Sequence, residues 1–141
     1  MPKLSRWFVK SALVCLVLGC LSAGLAMPDD ALALPGWVAA FRPLSWHLLA
    51  FGWATQLIFG VAFWMFPHAS KEQPRGNERL GWTAWILLNV GIGLRAIGEP
   101  AATLSPGVTA GLMLAVSAVA QVVAIGIFVY FTWPRVKALG R

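Results

Sequence analysis

The chain holds 141 residues, of which 59% are hydrophobic and only 11% charged, where a soluble domain carries about 25% charged residues. That composition, with a mean hydropathy of +0.74, excludes an ordinary water-soluble globule and leaves no room for a nucleotide-binding domain or a soluble catalytic head. The net charge of +6 does not point to nucleic acid, because Lys and Arg recur between apolar stretches instead of forming one stripe. Residues 1-141 are therefore expected to form a single all-α domain, an integral membrane four-helix transmembrane bundle.

The first span is expected over about 8-26, behind a basic leader with Lys3, Arg6 and Lys10 and ahead of Met27-Pro28-Asp29-Asp30. The same stretch also has the form of a signal peptide, with a basic start, an apolar middle and small residues from Ala23 to Ala26. We adopt the retained span; the remaining topology is the same either way. Cys15 and Cys20 are the only cysteines. Five residues apart on a helix, they point about 140° away from each other, so they do not pair. The absence of C-x-x-C-H excludes a covalently attached c-type haem.

A connector from Pro28 to Pro43 mixes Trp37, Val38 and Phe41 with prolines and is expected to lie at the headgroups with a short interfacial helix. The second span, 45-66, carries Trp46-His47 at one end and Trp64-Met65-Phe66-Pro67 at the other, aromatic anchors at both interfaces. After a polar loop over 68-80 comes the third span, 81-98, with Glu99-Pro100 expected to end the helix. The fourth span, 108-133, follows a turn at Thr103 to Gly107 and runs to Pro134 and a basic tail. Basic residues fall in the leader, in the loop after the second span and in the tail, with Arg42 alone on the other side, so both termini are expected to be cytoplasmic and the protein to reside in the inner (plasma) membrane.

With depth fixed in this way, side chains can be compared by height. His47 and Arg42 start the second span on its outer side, Arg95 and Glu99 end the third, and Met27 and Met113 belong to the same layer. An arginine at that depth costs about 2.5–3.5 kcal/mol and usually faces the bundle interior with a partner. One reading is a carboxylate clamp, with Arg95 and Arg42 on haem propionates and His47 offering a nitrogen to the iron. The plainer one pairs Arg95 with Glu99, four residues on and on the same helical face. His68 lies about 32 Å from His47 on a continuous helix, so one haem cannot use both. Gly52, Gln56 and Gly60 form a small-residue groove for helix packing, opposite a stripe of His47, Phe51, Ala54, Ile58, Val61 and Met65. Gln56, Asn89 and Gln121 lie near mid-span, where three carboxamides can meet in a buried layer; no acidic residue lies there, which argues against proton pumping.

The run HLLAFGW from His47, its continuation ATQLIFGVAFWMFPH, and then PRGNERLGW and LLNVGIGLRAIGEP resemble small membrane proteins related to the catalytic subunit I of haem-copper oxidases, a superfamily that includes the nitric oxide reductases. The likeness covers Arg42 to Pro100. It implies that His47 ligates a b-type haem and that Arg95, with Arg42, holds the propionates. A complete subunit I needs several further histidines for its second haem and copper, and this chain has two in all, so reduction of oxygen or nitric oxide by this polypeptide alone is not expected. The implied role is electron transfer or diatomic gas binding. The sixth ligand is open between His47 of a second chain in a homodimer, Met27, Met113 and an empty position. The alternative is a cofactor-free accessory or assembly subunit of a larger respiratory complex; a transporter is disfavoured because no span is broken at mid-depth.

Overall fold

A computed structural model describes residues 1–26, 35, 37–67 and 76–136. Among the described residues all regular secondary structure is helical, with four helices long and apolar enough to cross a membrane: Lys3–Ala26, Phe41–Met65, Glu78–Leu104 and Val108–Arg135. The outward faces are apolar, with Val17, Leu21, Ile58, Val119 and Val122 among the exposed side chains, while Gln56, Ser117, Gln121 and Thr132 are buried. Such a surface has no means of meeting water and is that of a multi-pass membrane protein, in which polar groups turn inward because lipid offers them no hydrogen bonds.

The first helix packs along the second and the third along the fourth. Small residues set the first contact: a Cβ built on Gly52 would stand 2.7 Å from Cys15 Cβ, and one on Gly60 would stand 2.9 Å from Phe8 Cβ. The groove of Gly52, Gln56 and Gly60 is thus the seat of the first helix. Gly52→Leu should part the two helices, overpacking a close backbone approach at a cost of about 1–3 kcal/mol. Gly93→Leu, where an added Cβ meets nothing within 4 Å, should leave thermal unfolding in detergent unchanged, so the difference between the two variants reads the packing alone.

Two further layers join the helix pairs. Near one end, Phe59 and Phe128 stack with centroids 3.7 Å apart and Phe8 meets both edge-on. At mid-span Gln56 and Asn89 exchange hydrogen bonds of 3.3 and 3.2 Å. Gln121 stays outside that exchange; it donates to Ser117 Oγ, which donates to the Gly91 carbonyl, so the carboxamides divide between two helix contacts instead of forming one layer.

Several boundaries differ from those read in the sequence; the first helix begins at Lys3 and not near residue 8. The third helix runs through Pro100 to Leu104, because the rest of the helix tolerates the one backbone N–H that proline lacks. Its start is at Glu78, where the Asn77 side chain accepts from Arg79 N at 3.1 Å as an N-cap. The second helix starts at Phe41, led in by turns over Trp37 to Ala40 that bury Val38 and Ala40. Inside it, Leu48–Thr55 is π-helical, and Thr55 Oγ1 donates to the Ala50 carbonyl five residues back. The wider turns rotate whatever follows, so the stripe drawn from His47 to Met65 at uniform α-helical spacing is not one line: the His47 side chain is 24% exposed and Met65 70%.

Candidate functional site

The polar centre lies where the start of the second helix meets the end of the third. Arg95 Nη1 donates to Glu99 Oε1 at 3.0 Å, the pairing that four-residue spacing favours. The same carboxylate oxygen lies 3.0 Å from His47 Nδ1. Glu99 is only 5% exposed and Arg95 18%, so one buried carboxylate joins a partly exposed histidine and arginine from two helices.

The environment fixes the tautomer of His47. Its Nδ1 stands within reach of the Pro43 carbonyl, at 3.1 Å, and of Glu99 Oε1. Both are acceptors, so Nδ1 carries a proton, and in the neutral imidazole the lone pair is on Nε2. The ring lies nearly parallel to Phe51, 14° apart with centroids at 5.8 Å. Imidazoles that bind metals are commonly oriented in this way, through the nitrogen that is not coordinated. The π-helical segment begins at the next residue, and such segments occur often at functional sites.

At this centre two buried atoms, Arg95 Nε and Glu99 Oε2, have no partner among the described residues. They flank the ion pair and leave one donor and one acceptor at the centre unanswered. An unmet buried polar group costs about 1–3 kcal/mol, so both atoms have capacity for a further partner, a water included.

The remaining expected site residues are placed elsewhere or outside view. Arg42 is exposed, and its Nη2 donates to the Ala26 carbonyl at the end of the first helix, 3.4 Å away, so it does not join His47. It lines a different cleft, of about 340 Å³, with Ala26, Ser45, Trp46 and Leu49. Met113 is half-buried and its Cβ faces Gly98 on the third helix, one residue from Glu99. Met27 and His68 lie outside the described residues. Among the described residues no group of three or more His, Cys, Asp or Glu side chains is gathered for a metal ion.

Height in the bilayer brings His47, Arg95 and Glu99 to one layer, and the structure brings them into contact. The direct His47–Glu99 contact has no local sequence signal, since it joins residues of different spans. Arg42 and His47 share a height but stand five residues apart, about 140° around the helix, and that spacing already separates them. Searches against protein-family models, curated proteins and solved structures found no match to this chain.

Proposed function

We propose that the chain is a haem b-associated membrane protein of the haem-copper oxidase subunit I type, with His47 as an axial ligand through Nε2. The observation that supports this reading is the grip of Glu99 and the Pro43 carbonyl on Nδ1, which in the neutral imidazole makes Nε2 the nitrogen with a free lone pair. The residues fit one axial position. Arg95, with its unpartnered Nε–H, suits a propionate; Arg42, turned toward Ala26, serves another contact. Bound there, a haem would supply one-electron transfer or diatomic gas binding. Both termini are assigned to the cytoplasm and the chain to the inner membrane, on the distribution of basic residues. A further ligand to the haem iron would be His47 of a second chain in a homodimer, Met27 or Met113, or that position would stay open, as gas binding requires.

The second reading, a cofactor-free accessory or assembly subunit, draws on the same carboxylate: Glu99 already neutralises Arg95 without any added group. Absorption spectra of the purified protein, oxidised and reduced, separate the two. A reduced b-type spectrum, lost in His47→Ala, is the expected result. Colourless protein, even after haem is supplied during expression, overturns the haem reading, and a larger complex co-purifying with it would then favour the accessory role.

A further inference from the structure

At the end of the bundle opposite His47, the first helix turns a basic edge outward. Lys3, Arg6 and Lys10 are all exposed, and with Trp7 they line a cleft of about 250 Å³. Their spacing of three and four residues places them on one helical face. Among the described residues none of the three is in an ion pair. Directly deeper, a second cleft of about 280 Å³ opens between the first and third helices, sharing Trp7 and Lys10 and walled by Ser11, Val14, Trp85 and Asn89. Its lining is nearly all apolar surface. The wall is built: Trp85 Nε1 donates to Ser11 Oγ at 2.9 Å, and Trp7 meets Trp85 edge-on at 5.6 Å.

We propose that this continuous basic-then-apolar groove binds one anionic phospholipid, its phosphate against Lys3, Arg6 and Lys10 and an acyl chain along Val14 between the two helices. Charge selects the headgroup, since three exposed cations on one face favour phosphatidylglycerol or cardiolipin over a zwitterionic lipid. Length fits the chain: from Lys3 to Cys15 the helix rises about 18 Å, close to half the thickness of a bilayer's hydrocarbon core. The tryptophans stand where aromatic side chains meet headgroups, and the long cationic side chains reach outward from their apolar stems. The site is remote from His47 and stands independently of the haem reading.

Native mass spectrometry of the full chain, released from vesicles of equal parts phosphatidylglycerol and phosphatidylcholine, tests this. One phosphatidylglycerol retained per chain, at least tenfold over phosphatidylcholine, is expected. Two variants divide the site. Lys3→Gln with Arg6→Gln and Lys10→Gln removes the headgroup charges; Val14→Trp fills the groove and keeps them. Val14 is 58% exposed, so the larger side chain leaves the bundle packing intact, which circular dichroism and thermal unfolding check. Loss of retention in both variants supports the proposal. Equal retention of the two lipids by the unaltered chain overturns it, as does wild-type retention by Val14→Trp, which would reduce the effect to surface charge, or by the glutamine variant, which would leave no role for the basic edge.

Discussion

Glu99→Ala is expected to destabilise the bundle by about 3–5 kcal/mol, the range found when one partner of a buried ion pair is removed. The carboxylate is 5% exposed and answers both Arg95 Nη1 and His47 Nδ1, so its loss strands a cation with little access to water and frees an imidazole. Glu99→Gln keeps the volume and an acceptor oxygen but not the charge, and should fall between the two. The informative variant is the double one. Removing Arg95 together with Glu99 leaves no orphaned charge, so Glu99→Ala with Arg95→Ala should be more stable than Glu99→Ala alone. Thermal unfolding of the wild type, Glu99→Ala, Arg95→Ala and the double variant in one detergent gives the comparison; a double variant as weak as the sum of those two single ones would show that the two side chains act independently.

The same cluster shows which parts of the site are legible in a sequence. Hydropathy and aromatic ends locate the spans, because the bilayer imposes length and the interface selects tryptophan. The Arg95–Glu99 pair follows from four-residue spacing, and the glycines at 52 and 60 announce a close helix neighbour. Depth alone, however, does not say which way a side chain points. Arg42 shares a layer with His47 and yet reaches the first helix. The π-helical turns at Leu48–Thr55 have no marker of their own in the sequence, since they depend on how the second helix is held against its neighbours, Cys15 beside Gly52 among them. Pro100 carries a boundary signal that the long third helix overrides. Arg135, counted in the sequence as one of several tail charges that orient the chain, turns out to be 1% exposed.

That burial has a consequence at the far end of the second span. The helix stops at Met65 as Phe66 turns extended, which leaves its last carbonyls without helical donors, next to a proline. Arg135 answers them from the short 3₁₀ turn after the fourth helix. Its Nη2 donates to the Phe63 and Phe66 carbonyls at 3.0 and 2.9 Å, its Nε to that of Pro67 at 3.1 Å, and its guanidinium carbon stands 5.2 Å from the centre of the Phe63 ring. A cation at a helix C-terminus is favourable electrostatically, and here one planar group also latches the fourth span to the second. Arg135→Ala should cost about 3 kcal/mol, since each hydrogen bond from a charged group contributes about 1.5–3 kcal/mol and the three share one side chain. Arg135→Lys retains the charge but not the fork, because a single ammonium cannot reproduce the spread of donors at Nε and Nη2. If the guanidinium acts as a latch, lysine should restore less than half of the lost stability in thermal unfolding. Full recovery with lysine would instead make position 135 a topology charge, with the three carbonyl bonds contributing nothing beyond it.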